Sequence, residues 1–159
     1  MDNYEKVEAI VAKKYNCPTT GRLAIGDFMI DEDFAVDVKS HDLDKTRIWL
    51  ANIVAANKAY EWLSAGNDLA YIFVEYRSID GNIEIEKETA PIMMEHIKWD
   101  CLKINNQGLG VIQLVKELQV DENQTKEDWF KGLGTAYKDY ISRQRVKLDS
   151  LEDKFCTAC

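Results

Sequence analysis

Two prolines, two histidines and eight glycines in 159 residues leave little material for several kinds of protein. With 46% apolar residues and four tryptophans, the chain is not proline-rich or disordered and reads as one domain, residues 1–159, with a real core. No apolar run approaches the roughly 18 residues of a membrane span, and the first residues lack a secretory h-region, so the expected location is cytoplasmic. Cysteine offers no metal framework. Cys17 and Cys101 are isolated, as suits reduced thiols. Cys156 and Cys159 form a C-x-x-C with no second pair to complete the four ligands of a structural zinc site. There is no glycine-rich phosphate loop, no G-x-S-x-G elbow and no internal repeat. Positive charge is also short: 20 Lys and Arg stand against 28 Asp and Glu, a net charge of −8. Such a chain meets a polyanion only if its cations gather on one face. Residues 138–147 carry Lys138, Arg143, Arg145 and Lys147 against Asp139 alone, while the acidic excess lies in residues 31–33, 84–88 and 121–128.

What is present is concentrated in residues 26–40, GDFMIDEDFAVDVKS. Phe34, Val36 and Val38 alternate with Asp33, Ala35, Asp37 and Lys39, the period of a β-strand, so Asp37 and Lys39 project from one face with the apolar set beneath. Asp27 belongs to a short run of its own, residues 24–30, and Asp31-Glu32-Asp33 supplies the turn of a hairpin. Two carboxylates and an ammonium then converge on a sheet. Magnesium takes oxygen ligands, keeps several waters, and is commonly held by one or two carboxylates plus substrate phosphate. It activates a bound water, and a neighbouring lysine can position that water and offset the charge built on phosphorus. An acidic hairpin with a solvated outer face would share the D-x-K spacing; the upstream Asp27 and the alternation in both arms favour the catalytic reading.

Asp27…Asp37-Val38-Lys39 resembles the PD-(D/E)xK nuclease motif, with Gly26 where many members have proline. The likeness covers roughly residues 5–77 and is closest to the Type II restriction endonucleases. In many of these a short polar turn, here Ser40-His41-Asp42, precedes a helix with an N-(I/L)-x-(A/S) element, here Asn52-Ile53-Val54-Ala55. The resemblance implies a central mixed β-sheet flanked by helices, an α/β restriction-endonuclease-like fold with its catalytic core at about 5–90 and a helical C-terminal part at about 111–155. It implies Mg2+ (or Mn2+ in its place) held by Asp27, Asp37 and the Val38 carbonyl, with Lys39 positioning the hydrolytic water. It also implies 5′-phosphate and 3′-hydroxyl products, double-stranded DNA as partner, and a homodimer, since one small domain cuts one strand and a two-fold pair matches a palindrome. Members often add an acidic residue from an N-terminal helix. Residues 3–15, with Tyr4, Val7, Ile10, Val11 and Tyr15 at helical spacing, place Glu8 at the margin of the apolar stripe and Glu5 in solvent, so Glu8 is the candidate.

Residues 45–65 read as a second helix ended at Gly66, and residues 69–76 as a central strand. Asp80-Gly81 marks a hairpin into residues 82–87, where Glu84 and Glu86 line a solvated face. Residues 103–110, KINNQGLG, read as a polar loop. Lys103, Asn105, Asn106 and Gln107 carry groups that can bond guanine, adenine or phosphate, although such a stretch is also an ordinary turn. Ser40 and His41, just past Lys39, and Arg143 and Arg145 complete the DNA-binding candidates. Residues 125–128 form a capping-box pattern before one or two helices, interrupted near Gly132 and Gly134. Two other classes fit: a structure-specific nuclease such as a Holliday-junction resolvase, which shares the chemistry, and a non-catalytic acidic DNA mimic or interaction protein, which the net charge supports.

Overall fold

A computed structural model describes residues 1–21, 25–45 and 50–157. Helix α1 (Asn3–Lys14) starts where Asp2 accepts the Glu5 N–H and the Glu5 carboxylate accepts the Asp2 N–H, a reciprocal cap. Its Val7, Val11 and Ala12 are buried against one face of a five-stranded mixed sheet. Strands β1 (Phe28–Asp31) and β2 (Phe34–Asp42) form the expected antiparallel hairpin, although Ala24 of its expected first arm lies outside the described residues. β2 then runs parallel to β4 (Asp68–Ile79), in register from Phe34 opposite Asp68 to Asp42 opposite Tyr76. Residues 69–74 of β4 are buried without alternation, as a parallel strand covered on both faces should be. Ala70, Ile72 and Val74 pack under α1, while Leu69, Tyr71 and Phe73 face the larger core.

β5 (Asn82–Glu88) is the outer strand, joined to β4 through Asp80 and Gly81, both at positive φ. The short β6 (Ile92–Met93) pairs with β4 at Ala70 and Tyr71. A second, three-stranded antiparallel sheet has the order β3 (Asn52–Ala55), β8 (Val111–Leu114), β7 (Leu102–Asn105). Helices α2 (Ala56–Ser64) and α3 (Lys126–Cys156) pack on the larger core. Among the described residues no helix is long and apolar enough to cross a membrane.

Four local expectations change. The helix expected over 45–65 is shorter: Asn52–Ala55 is a strand, and α2 begins at Ala56. Pairing with β8 suits the β-branched Ile53 and Val54 better than a helix would, and long-range ladders override local periodicity. Residues 46–49, near the start of that expected helix, lie outside the described residues. Ser40-His41-Asp42 is no turn but the end of β2, with His41 and Asp42 buried. Residues 103–110 are a hairpin rather than a free loop, Lys103 and Asn105 lying in β7. The helical part begins at Lys126, not 111, and runs to Cys156 without interruption at Gly132 or Gly134.

Gly132 is glycine because of a neighbour. A Cβ there would come within 2.7 Å of Trp99 Nε1 and overlap the indole, which packs tilted with its centre 5.4 Å from that of Trp129 and donates Nε1–H to the Trp129 carbonyl at 2.9 Å. Gly132→Ala is therefore expected to destabilise the protein by about 1–3 kcal/mol despite alanine's better helix propensity. Gly134 faces open space. Gly134→Ala should be neutral or stabilising by up to ~1 kcal/mol, and thermal unfolding of the two variants separates packing from propensity.

Candidate active site

Asp27 sits where the chain enters β1 and is tied to β2 twice. Its N–H donates to the Val36 carbonyl at 2.8 Å, and its Oδ2 accepts the Val38 N–H at 2.6 Å. β1 has no residue opposite Val38, so the carboxylate takes the place of a ladder partner. In an extended strand the N–H and C=O of one residue point to the same side, which turns the Val38 carbonyl toward Asp27 as well.

The approach is close enough to dictate the preceding residue. A Cβ on Gly26 would lie 2.7 Å from the Val36 carbonyl oxygen and 3.0 Å from its carbon, so neither alanine nor the proline common at this place in the motif fits. Gly26→Ala should push the Asp27 segment off β2, costing on the order of 1–3 kcal/mol of stability, and would cost a divalent cation held by Asp27 most of its affinity. Thermal unfolding and cation titration measure the two effects.

Asp37 lies mid-way along β2, on the face shared by Lys39 and His41. Lys39 Nζ is 2.8 Å from Asp37 Oδ2, and the two side chains are only 24% and 16% exposed. Glu8 reaches the same place from α1: Tyr4, Glu8, Thr20, Gly26, Asp27 and Asp37 all line one cleft of about 530 Å3. Glu5 is exposed and engaged in the helix cap.

The carboxylates are crowded and short of counter-charge. Burial, and then Asp27, push Asp37 up to about 7 against the pull of Lys39. Glu8 is raised to about 7 by burial first, then by Asp27 and Asp37. Asp27 is also raised by burial, opposed by the Val38 N–H and Lys39. Burial first, and crowding of the carboxylates second, favour the protonated acids here, and a bound cation would displace those protons. That donor set suits magnesium, which needs only one or two carboxylates and completes its shell with water and phosphate oxygen. Among the described residues no three His, Cys, Asp or Glu side chains are grouped closely enough to form a metal cage. Any ion must therefore share its shell with solvent or substrate.

Tyr71 escaped the sequence reading. It lies opposite Asp37 in the parallel ladder, wholly buried, and its hydroxyl has no hydrogen-bond partner among the described residues. Burial, then the charges of Asp37 and Asp27, hold it protonated. Only the β2–β4 pairing reveals it; in sequence it is one aromatic residue of an apolar run.

The DNA-binding candidates fall into separate groups. Ser40 and His41 continue β2 beyond Lys39. Asn105, Asn106 and Gln107 lie at the β7–β8 hairpin, and Lys103 is exposed on β7. Asn52 of β3 joins them: Asn105 Nδ2 donates to Asn52 Oδ1 at 3.0 Å, and Asn52 Nδ2 donates to Gln107 Oε1 at 3.1 Å. Arg143 is held against β7, donating to the Ile104 carbonyl and pairing with Asp139, both at 3.0 Å, whereas Arg145 is exposed.

A solved structure of the NlaIV restriction endonuclease shares this architecture with a TM-score of 0.50 at 10% sequence identity. The match covers 84% of this chain and 61% of that one. The fold is restriction-endonuclease-like. The chain thus spans about three-fifths of that enzyme's length. No protein-family model matches the sequence, and the comparison with curated proteins finds no match.

Proposed function

We propose that the protein is a magnesium-dependent, sequence-specific endonuclease of double-stranded DNA, a Type II restriction enzyme acting as a homodimer. The reading is supported by one observation: a PD-(D/E)xK-like set in a restriction-endonuclease-like fold, with Asp27 and Asp37 lining one cleft and Lys39 ion-paired to Asp37. In this reading Asp27, Asp37 and the Val38 carbonyl hold the metal. The ion supplies water activation and charge neutralisation at the scissile phosphate. Lys39, kept in place by Asp37, orients the attacking water and faces the charge that develops on phosphorus. Glu8, raised toward neutrality, can accept or return a proton at the cleft's edge. Hydrolysis of this class leaves 5′-phosphate and 3′-hydroxyl ends.

Base contacts are assigned to the amide cluster of Asn52, Asn105 and Gln107, whose groups match the bidentate pattern that reads adenine. The net charge of −8 makes bulk phosphate attraction weak, so affinity must come from specific contacts and the metal.

Incubating long unmethylated DNA with the protein and Mg2+ tests the reading. Discrete fragments whose ends religate directly are expected. Intact linear DNA would remove the restriction reading and move the test to branched junctions. If those too stay intact, an acidic mimic that binds a DNA-binding protein, and not DNA, becomes the better account.

A further inference from the structure

Helix α3 runs well past the residues it buries. Its 31 residues span about 46 Å at 1.5 Å per residue, yet its buried residues are Trp129, Leu133 and Tyr140. From Arg145 to Cys156 every residue is exposed. One line along the helix is largely apolar and continues into that free end. Phe130, Gly134, Tyr137, Ile141, Gln144, Leu148, Leu151 and Phe155 follow one another at intervals of four and three, the a and d positions of a heptad. The first half of the seam meets α2, where Tyr60 packs edge-to-face on Phe130 and a largely apolar groove of about 320 Å3 opens between the two helices. In the second half Leu148, Leu151 and Phe155 stand 64%, 46% and 61% exposed. Val146, also exposed, lies off the seam.

We propose that this end of α3 pairs with the same segment of a second copy of the chain, as a short parallel two-stranded coiled coil. The flanking charges select both partner and direction. With Ile141, Leu148 and Phe155 at a, the g position of one heptad holds Lys147 and the e position of the next holds Glu152. In a parallel pair each g residue meets the following e residue across the seam. Lys147 therefore faces the partner's Glu152, and the two-fold axis repeats the contact. An antiparallel pair centred on Leu148 and Leu151 would set e against e and g against g, placing Arg145 opposite the partner's Glu152 but Lys147 opposite the partner's Lys154, a like-charge clash repeated by the two-fold axis. The self-complementary arrangement is the parallel one.

Because the helix is already rooted in a folded body, association need not order it. The free segment, shorter than two heptads, is a small interface, so a Kd on the order of 10 µM or weaker is expected. The pairing supplies a surface for the dimer that the proposed double-strand cleavage requires. Its readout, mass in solution without DNA, keeps its failure distinct from failure of the nuclease reading.

Sedimentation of the whole protein over roughly 1–300 µM should show mass rising from 18.3 kDa toward twice that value. Leu148→Glu with Leu151→Glu should hold it at the monomer mass while leaving the circular dichroism spectrum unchanged. Lys147→Glu should weaken dimerisation about tenfold, and adding Glu152→Lys should restore it. A wild type that stays monomeric throughout would overturn the proposal, as would a dimer indifferent to the double glutamate variant. Stronger association of Lys147→Glu would overturn the parallel direction.

Discussion

Lys39→Ala is expected to abolish the discrete fragments and to lower the single-turnover cleavage rate by at least about 10²–10³-fold, the usual cost of removing a group that faces developing charge. Lys39 lies 2.8 Å from Asp37 on the same strand face, in a place where both side chains are mostly withdrawn from water. Its removal takes away the water-positioning ammonium and also the charge that opposes Asp37 protonation. Lys39→Arg should not rescue the rate, because a planar guanidinium cannot occupy the site of a compact ammonium. Folding should survive, since Lys39 is partly exposed and belongs to neither apolar cluster. Unchanged cleavage by Lys39→Ala, measured beside an unchanged thermal midpoint, would move the catalytic centre away from this hairpin.

Asp37→Asn should have two opposite effects: loss of cleavage by several orders of magnitude and a gain in stability without metal at alkaline pH. Folding raises the Asp37 carboxyl from its usual 3.8 to about 7, so the folded state prefers it protonated. Its favourable contribution is complete below the unfolded value, near pH 4. It is lost as pH rises through about 7, where the buried group is forced to ionise. Wild type minus Asp37→Asn stability should therefore fall between about pH 4 and 7 and level off above. At pH 8 the variant should melt a few degrees higher, since about 1 kcal/mol corresponds to ~2–4 °C for a domain of this size. Added Mg2+ should raise the wild-type midpoint at pH 8 and leave that of the variant nearly unmoved. A variant melting below wild type at pH 8 without metal would contradict the crowded-carboxylate account.

Several features of this site were legible in residue order alone. Period-two alternation in residues 33–39 put Asp37 and Lys39 on one strand face, the acidic turn closed the hairpin, and helical spacing placed Glu8 rather than Glu5 toward the sheet. The capping residues of α3 and the Asp80-Gly81 turn were likewise visible, because caps and tight turns are made by residues three or fewer apart. These features depend on neighbours in the chain, and the chain records its neighbours directly.

Other features depend on residues far away. Asn52–Ala55 became a strand because β8, nearly sixty residues later, offers it hydrogen bonds. Gly26 and Gly132 are glycine because Val36 and Trp99 occupy the space a methyl would need. Tyr71 meets Asp37 only through a parallel crossover, and Asn52 joins Asn105 and Gln107 only when two sheet edges come together. Residue order by itself determined which groups could do chemistry and which strand would carry them. Tertiary packing decided which of those groups share a cleft, because burial and long-range pairing are properties of elements brought together from distant parts of the chain. It also decided how far their carboxylates are pushed toward neutrality, since desolvation exists only once the core has closed around them.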